Sequence, residues 1–195
     1  MGQTEMQDLV NVLADSAADE GQRDSAASAL ALLGDGAIVP LRQLLGTGDA
    51  DQRWWSARGL AAIDGPTSVT LLIETLSDCD PDVRACAALG LGTLAAAEAV
   101  SPLVHRMADE NIYVGRIAGN ALIQIGKPAI PALIKALDST SPAIRGGAAR
   151  ALVAVPSHDA IPALVSALSD ESAIVTYYAQ EALERLGVGI VFVKP

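Results

Sequence analysis

Hydrophobic positions along this chain recur in two interleaved helical patterns. In the clearer one, Val83, Ala87, Leu91 and Leu94 follow one another at steps of three and four, which places them on one stripe of a helix with a single buried face. Its central leucine returns at Leu30, Leu60, Leu91, Leu122, Leu152 and Leu183, at intervals of 30, 31, 31, 30 and 31 residues. The frame around that leucine, an apolar residue followed by Arg, two residues, Ala and Ala, is plainest at Val83 to Leu94 and Ile144 to Val155. The second pattern reads A-I-P-A-L-I-K-A-L at Ala129 to Leu137 and A-I-P-A-L-V-S-A-L at Ala160 to Leu168, 31 positions on. Self-similarity at such a period signals a repeat architecture, here with two short helices per unit. The units run over about 5–34, 35–64, 65–95, 96–126, 127–156 and 157–187, a single repeat domain over 1–187 followed by a tail at 188–195.

Local signals agree with that division. Asp80 before Pro81 and Ser141 before Pro142 read as an N-cap followed by proline at the first helical position. Pro40, Pro102, Pro131 and Pro162 sit in or near the opening turn of the first helix of their units, where a missing N–H costs least. Leu44, Leu133, Leu137, Leu164 and Leu168 supply the apolar stripe of those first helices. Ala26, Ser56, Ala87, Ala118, Ala148 and Ala179 share one register of the second helix and allow neighbouring helices to approach closely. Helix pairs this short cannot bury their apolar faces alone, so the units must stack. The predicted fold is all-α, an α-α superhelix (solenoid) of about six helix pairs.

Composition refines this picture. Hydrophobic residues make up 51% of the chain but aromatics only 3%, so Ala, Leu, Ile and Val must build the core. The longest charge-free stretches, such as Ala85 to Ala97, fall short of the roughly 20 residues that cross a bilayer, and the N-terminus shows no basic region before an apolar run. The expected setting is cytoplasmic. The formal charge is −10, all of it N-terminal: residues 1–82 hold 14 acids and 4 bases, residues 83–195 hold 9 of each. Such a surface repels nucleic-acid backbones and anionic membranes, so neither is an expected partner. Cys79 and Cys86 are seven apart without a metal-ligand or redox spacing, and read as reduced thiols.

The run D-P-D-V-R-A-C-A-A-L-G-L-G-T-L at Asp80 to Leu94, followed by A-V-S-P-L-V at Ala99 to Val104, resembles the HEAT repeat. The short period and the A-I-P-A-L form look most like the phycobilisome-lyase type of HEAT-like repeat, and the resemblance covers essentially residues 5–187. It implies an Asp-Arg ladder along the array, with Asp49 or Asp51 matching Arg53, Asp80 or Asp82 matching Arg84, and Arg23 and Arg145 in the same register. Gly115 and Thr176 replace the arginine, so the ladder should break in the fourth and sixth repeats. The resemblance also implies that second helices line the concave side. Counted from the arginine, offsets −1, +3, +7 and +10 face the core and +1, +2, +5 and +9 face the groove. That surface carries Trp54, Trp55, Arg58, Arg116, Asn120, Arg150, Tyr177, Tyr178 and Glu181, and thus four of the six aromatic residues. Trp, Tyr and Arg concentrate at binding hot spots. The alternative is that Trp54 and Trp55 fill the space between the second and third helix pairs while Tyr177 and Tyr178 cap the last one. Gly146 and Gly147 mark either close approach of a ligand or tight helix packing.

Catalytic signatures are missing. The di-iron hydroxylases built from HEAT-like repeats use His-Glu pairs, and no His-Glu dipeptide occurs here. The HEAT-like DNA glycosylases present a basic groove, which the net charge argues against. Ser157, His158 and Asp159 are adjacent in sequence, whereas a catalytic triad converges in space, so His158 reads as part of a helix start. The expected function is therefore a non-catalytic scaffold that binds a protein partner on the concave face, with no catalytic residue, cofactor or metal. The alternative is a protein that handles bilin or a phycobiliprotein, lyase-like or phycobilisome-degradation-like. Its aromatics would stack on the tetrapyrrole, Arg58, Arg116 or Arg150 would pair with the propionates, and Cys86 would be a transient thiol site. A monomer is expected, with the β-prone tail V-G-I-V-F-V-K-P at 188–195 covering the last repeat or pairing with another chain.

Overall fold

The computed structural model describes residues 3–189. They form twelve α-helices and no strand. The chain divides into two compact units, Met1–Ala99 and Val100–Pro195, with the division falling inside the fourth predicted repeat. The dimerisation role expected of the tail lies outside the described residues from 190 onward.

The N-terminal unit holds α1 (Gln3–Ala14), α2 (Glu20–Leu32), α3 (Ile38–Thr47), α4 (Ala50–Leu60), α5 (Pro66–Thr75) and α6 (Pro81–Thr93). Each odd helix packs on the even helix that follows it, and the even helices pack in series, α2 on α4 and α4 on α6. The C-terminal unit repeats the plan with α7 (Val100–Arg106), α8 (Ile112–Ile125), α9 (Ile130–Ala136), α10 (Pro142–Ala154), α11 (Ile161–Ala167) and α12 (Ala173–Arg185), where α8 packs on α10 and α10 on α12. The six periodic leucines are all buried, none exposed by more than 1%. The small register four residues before each leucine is buried as well, including Ser56, whose hydroxyl has no hydrogen-bond partner. Pro40 and Pro102 occupy the third position of α3 and α7, and Pro131 and Pro162 the second position of α9 and α11.

The loop before each second helix is built by side chains that turn the backbone. Asp78, Asp109 and Asp170 accept the N–H two residues on, from Asp80, Asn111 and Ser172, at 2.8, 2.9 and 2.8 Å. Ser139 does the same for Ser141 at 3.2 Å. Asp80 caps α6 by accepting from the N–H groups of Asp82 and Val83, and Asp49 caps α4 within a reciprocal box with Gln52. Ser141 stands at the N-cap of α10 without using its side chain.

The Asp-Arg ladder is present but its pairing differs from the expected one. Arg53 pairs with Asp78 of the following repeat, through two hydrogen bonds of 2.7 Å, and not with Asp49 or Asp51. Arg23 pairs forward with Asp51, and Arg145 pairs forward with Asp170 at 2.6 and 3.0 Å. Arg84 donates to the carbonyls of Asp78 and Cys79 rather than to the carboxylate of Asp80, which is engaged as a cap. The geometric reason is shared by Arg23, Arg53 and Arg145: the arginine turns one nitrogen onto a carbonyl of its own loop and projects the rest of the guanidinium toward the next loop. Burial pushes the Asp78 carboxyl up, but the Arg53 and Asp80 hydrogen bonds together hold it below the usual carboxylate range. The Arg145 hydrogen bonds hold Asp170 down, against its burial. At the fourth repeat both halves of the rung change together, since Gly115 replaces the arginine and Ser139 of the fifth repeat replaces the aspartate. A side chain at 115 would start 2.9 Å from the carbonyl of Met107, so glycine there admits the loop backbone.

Candidate functional site

An α-helix turns 100° per residue, so offsets −1, +3, +7 and +10 centre on one direction and +1, +5 and +9 lie on the far side. Offset +2 lies about 100° from the core direction, on the flank that meets the neighbouring second helix. This corrects the expectation for Trp55 and Cys86. Trp55 is buried, 5% exposed, with its ring edge-on to Trp54 at 4.8 Å. Cys86 is buried at 7% exposure, with its thiol 3.7 Å from the Trp54 carbonyl, and burial pushes that thiol up to about 12. A thiol so shielded stays protonated at neutral pH, which removes it as a nucleophile. Trp54 is half-buried. Arg58, at +5, pairs with Asp24 of the preceding second helix at 3.1 Å.

In the C-terminal unit the same offsets carry aromatic and cationic side chains. Tyr177 is 62% exposed and stands edge-on to the half-buried Tyr178, ring centres 5.2 Å apart. Arg116 is exposed and lies over the Tyr113 ring at 5.5 Å. Arg150 is half-buried and reaches back to donate to the Arg116 carbonyl at 3.4 Å, passing over Gly119, where a Cβ would come within 2.8 Å of its guanidinium. Asn120 is half-buried, and Glu181 is engaged by Arg185 at 3.5 Å one turn along α12. Between α10 and α12 runs a groove of about 320 Å³ whose lining includes Gly146, Gly147, Arg150, Ile174 and Tyr178. The two glycines answer differently to the choice left open by the sequence. A Cβ at Gly147 would sit 2.6 Å from the Met107 sulfur, which is tight packing, whereas one at Gly146 would find ordinary contact at 3.4 Å from Ile174.

The residues missed from sequence are those at offset −2. That position lies on the same side as +5 and +9, and in this unit it carries Tyr113, Ala143 and Ile174, of which Tyr113 is 49% and Ile174 62% exposed. Two apolar residues at a register that holds Asp51 and Asp82 in the N-terminal unit were the available signal. Ser157, His158 and Asp159 form a helix start: His158 opens a single 3₁₀ turn, and the Ser157 hydroxyl accepts the Asp159 N–H. Among the described residues no group of three or more His, Cys, Asp or Glu is placed to hold a metal ion, and no single helix is long and apolar enough to cross a membrane.

Helix pairs in series, a leucine stripe at constant period and side chains bridging consecutive loops define an α-α repeat solenoid. Within that class, residues 69–134 and 100–184 match the HEAT repeats and residues 52–78 match the PBS lyase HEAT-like repeat, so the chain belongs to the HEAT-repeat family. Among solved structures it is similar to an engineered protein at 26% identity and a TM-score of 0.53, covering 96% of this chain and 97% of that one. YibA of Escherichia coli is similar at 22% identity and a TM-score of 0.60, over 96% and 72%. A designed armadillo repeat protein is similar at 22% identity and a TM-score of 0.50, over 93% and 99%. These likenesses show the fold. No curated protein matches the chain in sequence.

Proposed function

We propose that this protein is a non-catalytic scaffold that binds another protein through the open face of its second helices. The observation that carries this reading is the C-terminal unit's side-by-side display of Tyr177, Tyr178, Arg116 and Arg150. These are the residue types that anchor protein interfaces, and two of them, Arg150 and Tyr178, line the groove between α10 and α12. The solenoid fold supports the reading further, because stacked repeats create extended surfaces without an enclosed cavity. Trp54 and Arg58 of the N-terminal unit are secondary anchors, each already engaged within its own unit. Affinity capture from an extract of the source cells, with recovered proteins identified by mass spectrometry, tests this. The expected result is a partner retained by the wild-type protein and lost on Tyr177→Ala, with helicity unchanged by circular dichroism. Equal recovery by both proteins would overturn the placement.

The match of residues 52–78 to the PBS lyase HEAT-like repeat favours a second reading, the handling of a bilin or phycobiliprotein. Its remaining elements are the tyrosine pair for stacking and Arg116 and Arg150 for propionates, since Cys86 is withdrawn from it by burial. Mixing with free bilin and recording the visible spectrum decides it: a shift abolished by Arg150→Glu supports it, and an unchanged spectrum ends it.

A further inference from the structure

The starts of the second helices differ between the two units. α2, α4 and α6 are capped by the carboxylates of Asp19, Asp49 and Asp80 and carry Glu20, Asp51 or Asp82 in the first turn, as the positive end of a helix dipole favours. α8, α10 and α12 follow Asn111, Ser141 and Ser172 and hold no acid there. Their first two positions are Ile112 and Tyr113, Pro142 and Ala143, and Ala173 and Ile174. All six residues are exposed, Ile112 by 87% and Ile174 by 62%. The three helices are consecutive, with α10 packed on α8 at one side and on α12 at the other, and Pro142, Ala143 and Ile174 line one groove. An apolar edge that crosses one unit and is missing from the other marks a contact surface.

Charge selects what covers that edge. The net charge of −10 opposes association of copies of this chain, but the whole excess lies in residues 1–99, while residues 100–195 hold 8 acids and 8 bases. Two copies can therefore meet through the C-terminal unit. Its edge carries both signs. Arg116 of α8 is exposed and lies over Tyr113, and loop carboxylates stand at Glu110, Asp138 and Glu171. Glu171, before α12, has a side chain 83% exposed and spends one oxygen on Arg145. A two-fold axis at the start of α10 exchanges the ends of the edge, so that α8 of one copy faces α12 of the other. Arg116 then meets Glu171 of the second copy at both ends, and Ile112 and Tyr113 meet its Ile174. The short side chains of Pro142 and Ala143 at the axis allow close approach. The surface is complementary to itself, which is what an isologous dimer requires.

We infer that the chain forms a two-fold dimer through the starts of α8, α10 and α12, with Arg116 of each copy on Glu171 of the other. The inference does not rest on the partner-binding reading, whose own test, capture by Tyr177→Ala, stays separate. Sedimentation equilibrium of the full chain tests it. The mass should rise with concentration from 20.0 kDa to twice that value and no further, and added salt should weaken the association. Ile112→Asp and Ile174→Asp should each weaken it at least about tenfold while keeping the wild-type circular dichroism. An acid in the first turn favours a helix, so Ile112→Asp should hold or raise the melting temperature at dilutions where wild type is monomeric. Arg116→Glu alone and Glu171→Arg alone should be monomers. Mixing the two in equal amounts should restore a dimer, because both contacts then join opposite charges. A wild-type chain that stays at 20.0 kDa at its highest soluble concentration leaves the edge to some other molecule and overturns the inference. A mass beyond the dimer, a dimer that survives both isoleucine variants, charge variants that dimerise unmixed, or a mixture that stays monomeric would each overturn it as well.

Discussion

Arg58 and Arg150 hold the same position in their repeats, and each reaches back 34 residues along the chain to the preceding second helix. In the N-terminal unit that reach ends on the carboxylate of Asp24, whereas in the C-terminal unit it ends on a backbone carbonyl, since the equivalent residue is Arg116. One register thus does two jobs, a closed ion pair in one unit and an open cation in the other. Composition explains the divergence: residues 1–99 carry 15 acids and 5 bases, residues 100–195 carry 8 of each. Arg23, Arg53 and Arg58 of the acidic unit each pair with a carboxylate, whereas in the charge-balanced unit Arg116 faces a tyrosine ring and Arg150 a backbone carbonyl. The aromatic and branched residues differ between the units as well, although Leu89 of the N-terminal unit is 50% exposed. Trp55 is buried between second helices in the first unit, while Ile174 and Tyr177 are exposed in the second.

The comparison breaks first if the two cores are not equivalent. Leu91→Ala and Leu152→Ala remove side chains that are 0% and 1% exposed, and each should cost about 2 to 5 kcal/mol in chemical denaturation. A difference within assay error of wild type for either would show that its repeat does not carry the shared core. Next come the rungs. Asp78→Ala strands Arg53 and should cost about 1.5 to 3 kcal/mol, and Asp170→Ala should act in the same direction on Arg145. Both carboxyls are held below their ordinary value in the folded chain, so their contribution is complete above that value, 3.8, and declines as pH falls below it. Stability measured from about pH 5 down to about pH 3 should therefore drop, and Asp78→Asn should flatten that drop. A stability curve insensitive to acid would contradict the ladder.

A smaller effect of opposite sign is expected at Ser56. Its hydroxyl is buried and unpartnered where the C-terminal unit has Ala118, Ala148 and Ala179, so Ser56→Ala should stabilise by about 1 kcal/mol, read as a raised denaturation midpoint. The smallest pair of effects sharpens the comparison most. Arg58→Ala should cost no more than about 0.5 to 1 kcal/mol, and Arg150→Ala less still, because the first loses an exposed ion pair and the second only a long bond to a carbonyl. If Arg150→Ala proved the more destabilising, the open cation would be a structural one after all.

The periodic leucines, the small register and the proline-marked helix starts were legible because each is a local consequence of helix geometry repeated six times. The ladder was legible as a set of residue types but not as a set of pairs. An arginine's own-loop and next-loop aspartates are equally near in the repeat pattern, and only the direction of the side chain separates Asp49, a cap, from Asp78, a counter-ion. The candidate face was half legible. Arg116, Arg150 and Tyr177 lie where offset counting puts them, while Trp55 and Cys86 fall on a flank that the neighbouring helix covers. Tyr113 and Ile174 escape that counting because the open face extends one turn before the arginine register.

The amino-acid sequence by itself determined that this chain is a stack of short helix pairs. Backbone periodicity, caps and volume at the small register depend on each repeat alone, and their recurrence leaves no other way to bury the leucines. The tertiary structure alone decided which charges are spent and which remain. Counter-ions and covering side chains come from the adjacent repeat, some 25 to 34 residues away, and at that separation a residue's role is set by what the stacking brings against it.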